Sequence, residues 1–483
     1  MSLSNFKTMN NKLFYIGILL LTCCTTSCKK YFEVDNSNKD TLPKTFSTIE
    51  GFRTALNGTY GKLFDYYEAE FYIYPEVAGN MTDITQTAAL DVMNQQHNFV
   101  SDPDEETAAV GLIWRKILGS IANANNIIEN APGFLLINPA TKNEIDGIKA
   151  QALFIRALAH FDLCRVYAQP FNFTPDASHP GVPVVISNPD PEDQIARSSV
   201  AKVYVQIVAD LKEAEILFGN ASSASAYYAS KKAVQALLAR VYLYSENWDE
   251  AIKYSSEVIN NSSLAYSTDY TSMFNALIPG VETIFRLNGK ARSRKLGQVY
   301  NLKDPEYMPA DTLMNLFDDM ADIRLGLFQS IPSTTKFVTK KWTITVPFTA
   351  NEEKYDPMVL RASEMYFIRA ESYLAKKQTG LCAEDLKVMI GRALGKAPVD
   401  IVINDMSEEN LKRTIIKERA KEFCFEGHNF FDITRMKQNL VRGNTTSSTV
   451  KKIDYPSNLF VLPIPQSEID ANPAMTGNPT VNK

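Results

Sequence analysis

Between Ser230 and Asn260 the chain repeats small and apolar residues at helical spacing on both sides of a break too short for anything but a tight turn. Ala236, Leu237, Ala239, Tyr242 and Leu243 form one stripe, and Trp248, Ala251, Ile252, Ser255 and Val258 begin and fill a second. Such a segment cannot bury its apolar faces alone. It predicts two antiparallel helices in which Ala239 faces Ala251 or Ile252, stacked on further helices of the same kind.

The stripes recur along the chain. A first helix is expected to start at Ser47 as N-cap, with Glu50 completing a capping box and Ile49, Phe52, Leu56, Tyr60 and Leu63 on its buried face. Long helices are expected over Thr107–Glu129 and Glu144–Tyr167, separated at Pro132-Gly133. The Ser230–Asn260 unit resembles a tetratricopeptide (TPR) repeat, with partial echoes at Arg156–Tyr167, Val203–Phe218 and Met365–Ala375 at non-uniform spacing. From Ser262 to Asp356 the rhythm fails. Pro279, Pro305, Pro309, Pro332 and Pro347 break it, the run Lys341–Val346 alternates, and one helix is expected near Asp311–Phe317. The expected fold is therefore all-α: degenerate TPR helix pairs, a loop-rich insertion and a few short strands.

The amino end carries an export signal, in which Lys7 and Lys12 precede the apolar run Leu13–Leu21 and Thr25-Thr26-Ser27 lead into a cysteine. Cys28 is the preferred lipidation site, with Cys23 and Cys24 as competitors. Residues 1–27 then read as a signal peptide, 28–46 as lipid anchor and polar tether, and 47–483 as the folded domain. Loss of the signal removes two lysines and no acid, taking the formal charge from −5 to −7, which gives no support for nucleic-acid binding. Beyond the anchor only Cys164, Cys382 and Cys424 remain, and their helical settings mark them as buried thiols. No later apolar run is long enough for a membrane-spanning helix.

Chemistry-bearing motifs are sparse. His97, His160, His179 and His428 show no metal-ligand spacing, no phosphate-cradling glycine loop or nucleophile elbow occurs, and Asp318, Asp319 and Asp322 lack the EF-hand pattern. No cofactor and no metal are expected, nor an enzyme. The spacing of Glu418, Glu422 and Glu426 places them along one helical face as an ion network, with Asp432 and Arg435 pairing at i,i+3. Recognition residues are sought in two irregular segments, near 80–100 and 262–356, where rings suit a sugar face and amides or acids suit its hydroxyls. The chosen ligand-binding candidates are Asp83, Asn94 and Gln96 in the first and Tyr300, Arg324 and Trp342 in the second, with Asn288, Arg292 and Arg294 alongside. Trp342 is expected to be exposed, whereas Trp114 and Trp248 are expected in the core.

Seven stretches in order carry a family resemblance. They are SCKKYFEVD (Ser27–Asp35), RALAHFDLCRVYAQPF (Arg156–Phe171) with GVPVV (Gly181–Val185), RSSVAKVYVQIVADLKEAE (Arg197–Glu215), the TPR-like unit, VLRASEMYFIRAESYL (Val359–Leu374), KERAKEFCFEGHNFFDITRMK (Lys417–Lys437) and LFVLPIPQSEIDANPAM (Leu459–Met475). Together they make the chain similar to the SusD/RagB outer-membrane nutrient-binding lipoproteins of Bacteroidetes. His160 and Asn429 depart from the residues more frequent there. The resemblance implies a cell-surface protein that captures oligosaccharide or a similar nutrient and passes it to a SusC-like TonB-dependent transporter in the outer membrane. Its rivals are a TPR scaffold for protein partners and a surface glycosidase, since a pair of carboxylates alone suffices for the latter.

Cys28→Ala is expected to abolish acylation and release the protein from the outer membrane, as followed by metabolic palmitate labelling. Label that survives in Cys28→Ala but is lost in Cys24→Ala would move the cleavage site.

Overall fold

The computed structural model describes residues 42–85, 93–105, 109–190, 192–219, 225–274, 279–289, 295–302, 305–332, 334–342 and 355–479. Two units separate at Ser47, and the smaller contributes one short helix, Leu42–Thr45. Cys28 lies outside the described residues.

The larger unit is a succession of helices: α1 (Ile49–Tyr67), α2 (Glu70–Val77), α3 (Ala109–Ile137), α4 (Lys142–Tyr167), α5 (Val200–Phe218), α6 (Lys231–Tyr244), α7 (Trp248–Asn260), α8 (Ala362–Ala375), α9 (Thr379–Leu394), α10 (Glu408–Phe423) and α11 (Asn429–Arg435). From α3 to α9 each helix packs on the next, with α1 against α3 and α10 against α8 and α9. This is the stacked-pair architecture expected of degenerate TPR units. No described helix is long and apolar enough to cross a membrane.

The α6–α7 hairpin forms where its pattern predicts. Ser230 caps α6 by accepting from the Ala233 N–H at 3.2 Å, Asn247 caps α7, and Ala239 and Ala251 are both fully buried. Two boundaries differ from expectation. The N-cap of α1 is Thr48, whose hydroxyl accepts from Gly51 N at 3.1 Å, while Ser47 turns back to the Lys44 carbonyl. Pro132 does not end α3 but sits inside it. The last turns persist because Phe134 continues the buried stripe of Ile127 and Ala131, its ring 5.1 Å from that of Phe52. Burial of that ring outweighs the hydrogen bond that proline cannot donate.

The strands are short and pair only in twos, all antiparallel: β1 (Thr82–Ile84) with β3 (Tyr307–Pro309), β2 (Thr283–Arg286) with β6 (Met358–Arg361), β4 (Phe328–Ser330) with β5 (Phe337–Thr339), and β7 (Leu440–Val441) with β8 (Lys452–Ile453). Four of these eight, β2 to β5, lie within the 262–356 insertion. A short helix, Asp311–Met314, falls within the predicted Asp311–Phe317, but most of the alternating run after Lys341 lies outside the described residues.

Helices and insertion are joined by a buried ion cluster. Glu422 takes Arg392 at 2.6 Å and Arg361 at 2.5 Å. Glu426 takes Arg361 at 2.9 Å and Lys341 at 2.6 Å. Glu418 takes Arg324 at 2.7 Å and Lys421 at 2.6 Å. Glu282 adds a further contact to Arg361 and Asp322 one to Arg324, so five cations meet five carboxylates with no net buried charge. The network expected from the Glu418–Glu426 spacing exists, although Glu426 lies just past the end of α10.

Burial alone would raise the Glu422 carboxyl, but the guanidinium groups of Arg392, Arg361 and Arg324 outweigh it and hold it well below the ordinary carboxylate range. A depressed folded-state pKa means that its contribution is complete above the unfolded value of about 4.3 and is lost as pH falls through the folded one. Glu422→Gln is therefore expected to cost roughly 3–5 kcal/mol near pH 7, because it leaves buried guanidinium groups uncompensated. The penalty should shrink below about pH 4. Urea denaturation at both pH values measures the difference.

Candidate functional site

The surface feature with the chemistry of a sugar site is a groove of roughly 390 Å³ beside the middle of α1, walled by Asn57, Tyr60, Phe64, Tyr227, Tyr228 and Asn288. Its construction starts with Tyr60. This phenol donates to Gln151 Oε1 at 2.8 Å and accepts from the Ala229 N–H at 2.8 Å. The second bond ties the turn ahead of α6 to α1, so Tyr228 is held edge-on to Tyr60 at 5.4 Å and 83° while staying 45% exposed. A Tyr ring fixed by its neighbour and open to solvent is a platform that needs little ordering on binding.

The opposite wall is set by Asp356. Its carboxylate accepts from Tyr227 Oη at 2.8 Å and from the Gly289 N–H at 2.7 Å, and it pairs with Arg286. Arg286 also donates to Tyr227 Oη at 2.9 Å and lies over the Tyr227 ring. These bonds hold the end of β2, from which the exposed Asn288 follows. Burial, foremost, pushes the Tyr227 phenol up, so it stays neutral at physiological pH. Among the described residues no charged side chain lines this groove.

Beyond Phe64 the groove meets a polar cleft of roughly 560 Å³, with Lys62 and Asp65 from α1 and Arg115 and Lys116 from α3. Glu68 at its base accepts from Tyr355 Oη at 2.6 Å, and Lys116 pairs with Glu70 at 2.5 Å. Among the described residues no cluster of three or more His, Cys, Asp or Glu is placed to hold a metal ion.

Two family profiles match in tandem. The one described as starch-binding, associating with the outer membrane, spans residues 30–243, and that of the SusD family spans 320–480. The chain belongs to the SusD/RagB family. The SusD-like protein P2 of Formosa agariphila is 24% identical over 90% of this chain and 92% of its own. A SusD superfamily structure from Bacteroides thetaiotaomicron superposes with a TM-score of 0.79 at 26% identity, covering 90% of this chain and all of that one (100%). A SusD-like carbohydrate binding protein from Bacteroides vulgatus does so with a TM-score of 0.73 at 20% identity, over 88% and 96% of the two chains.

Within this SusD/RagB fold most of the sequence-predicted site residues serve the scaffold. Trp342 is fully buried. Its Nε1–H donates to the Phe425 carbonyl at 2.9 Å, and its ring packs against Tyr72 and Tyr355. Tyr300 is buried against Phe425 and Tyr307, and Arg324 is consumed by the ion cluster. Gln96 is buried with its amide on Ser101 at 2.9 Å. Only Asp83 and Asn94 keep partial exposure; Asp83 accepts from Ser447 and Asn94 from Asn98 at 2.8 Å. The expectation of an exposed Trp342 is corrected: an insertion this large needs a core of its own, and its largest rings supply it. Trp114 is buried as expected, edge-on to Tyr167, whereas Trp248 is only half-buried at the start of α7.

Asn288 was legible as a candidate, but Asn57, Tyr60, Tyr227 and Tyr228 were not. Tyr60 reads as one more position in the stripe of α1. The available signal was Tyr227-Tyr228, an aromatic pair between small residues just ahead of a helix cap. Arg292 and Arg294 lie outside the described residues.

Trp342→Ala should destabilise the fold by about 3–5 kcal/mol through the cavity it leaves. Trp248→Ala, at a half-buried position, should cost clearly less, reversing the order expected from sequence. Thermal or urea denaturation of the two variants decides the order.

Proposed function

We propose that this SusD/RagB protein is a non-catalytic, lipid-anchored carbohydrate-binding protein that captures oligosaccharide in the α1 groove and delivers it to a SusC-like TonB-dependent transporter. The reading is carried by the exposed Tyr228 ring, held against Tyr60 and flanked by the amides of Asn57 and Asn288. A ring face matches the apolar C–H face of a sugar, and amides donate and accept as hydroxyls require. The description of the matching family profile as starch-binding, and of one structural neighbour as carbohydrate binding, agrees with this choice. Anchoring through Cys28, a tether over residues 28–46 and an outer-membrane location belong to the same proposal. Asp83 and Asn94 are proposed as secondary contacts from the neighbouring insertion, and the transporter as the partner that receives the ligand.

Binding without turnover is favoured by the groove's described lining residues, which include no pair of carboxylates to act as acid and base. A few aromatic contacts of about 0.5–1.5 kcal/mol each, with solvent-competing hydrogen bonds, give modest affinity. The expected dissociation constants run from about ten micromolar to millimolar, equivalent to roughly 4–7 kcal/mol. Weak capture lets the ligand leave quickly enough to be passed on.

Tyr228→Ala is expected to weaken oligosaccharide binding by about three- to tenfold while leaving thermal stability nearly unchanged, measured by calorimetry against a glycan panel with the products analysed in parallel. Unchanged affinity in the variant would remove the groove from the reading, and shortened oligosaccharides would replace binding by catalysis.

A further inference from the structure

His97 ends the short helical turn Asn94–His97 and is buried where three other segments meet. Its Nδ1 lies 3.0 Å from the Val77 carbonyl oxygen at the end of α2, an atom that can only accept, so Nδ1 carries a proton. Its Nε2 faces Ser447 Oγ at 3.2 Å and Asp83 Oδ1 at 3.5 Å. The Ser447 hydroxyl has a single proton to give. At 2.6 Å its contact with the Asp83 carboxylate is the shorter, and the Ser447 backbone N–H donates to the same oxygen at 2.9 Å. Once that proton is committed, Nε2 meets only lone pairs. The neutral ring would face an oxygen and a carboxylate with no hydrogen to share, whereas a second ring proton satisfies both.

We infer that His97 is a protonation-dependent latch: the imidazolium clasps the 443–450 loop, through Ser447 and Asp83, to β1 and the end of α2, and loss of its Nε2 proton loosens that loop. The loop spans β7 to β8, and Val450 borders a surface groove of roughly 350 Å³ with Tyr74, Asn98, Phe99 and Leu459, so release would reshape that surface.

The charges around the ring are few. Asp83 on β1 favours the charged ring: burial pulls its carboxyl up, yet hydrogen bonds from His97 and Ser447 outweigh burial and hold it below its ordinary range. Arg442, at the start of the loop, opposes it, donating to the His97 carbonyl and at 3.1 Å to the same Val77 carbonyl that Nδ1 uses. On α2, Glu76 turns its carboxylate to the N–H groups of Phe425, Gly427 and His428. Asp311 sits against Gly443, and Lys451 reaches the Asn444 carbonyl. The turn Asn94–His97 adds no charge of its own. An exposed serine beside a buried imidazole also has the outline of a nucleophile and base, but here the serine proton points to a carboxylate. The N–H groups of Ser447, Ser448 and Thr449 are taken by Asp83, Thr446 and Asn98, leaving no donor for an oxyanion.

The test is hydrogen exchange by mass spectrometry on the full chain from about pH 5 to 8.5, the range in which histidine commonly titrates, following the His97 ring C–H and the amides of 446–449 together. Protection factors of the loop, corrected for intrinsic exchange, should fall about tenfold or more from the acid to the alkaline end of that range. In both His97→Gln and Asp83→Asn that pH dependence should vanish. Flat protection across that pH range, or a pH dependence that survives in both variants, overturns the latch.

Discussion

The contact on which the rest of the structure depends is that between Arg361 and the carboxylates of Glu422, Glu426 and Glu282. Arg361 ends β6 and leads straight into α8, so its guanidinium joins the insertion to the stack of helices. Burying charges is costly, and such a cluster is tolerated because each member finds opposite charge. Arg361 also donates to the Glu422 carbonyl, and Lys341 reaches both that carbonyl and Glu426. Through Lys341, Arg324 and Glu282 the cluster fastens described parts of the irregular segment, whose strands have only three or four residues, to the helices.

The same economy explains where binding chemistry is found. Once the insertion is fastened, its bulky rings have a core to fill: Trp342, Tyr300 and Tyr307 pack under it with Phe425, and Tyr355 seals the side toward Glu68. At the α1 groove a ring stays open to solvent where a helix surface meets a turn. Tyr228 is that ring, positioned by a backbone hydrogen bond to the phenol of Tyr60 and free of the packing that consumes Trp342.

Periodicity made the helical body legible, because a stripe such as Ala236, Leu237 and Leu243 admits one burial pattern. It misled where two local rules conflicted. Pro132 signals a break, yet Phe134 two residues on carries enough buried area to keep α3 helical. The ion cluster was readable as a face of glutamates, but its partners Arg324, Arg361 and Arg392 come from distant positions that spacing cannot connect. For the same reason Arg324 and Trp342 looked like ligand contacts: composition shows that a loop contains a ring or a guanidinium, and only tertiary packing decides which way it faces. The family resemblance was carried by helix-forming stretches and the carboxyl-terminal segment, which hold the scaffold, and so it spoke to fold rather than to the groove at Tyr228.

The account's central claim is that the sugar's principal contact is the face of Tyr228, with Asp83 and Asn94 only secondary to it. Crystals of residues 47–483 soaked with an oligosaccharide that binds in solution would test it directly. The account predicts density for a sugar ring stacked on Tyr228, with hydroxyls within hydrogen-bond reach of Asn57 or Asn288. A sugar ordered instead against Asp83 and Asn94, with Tyr228 bare, would contradict it.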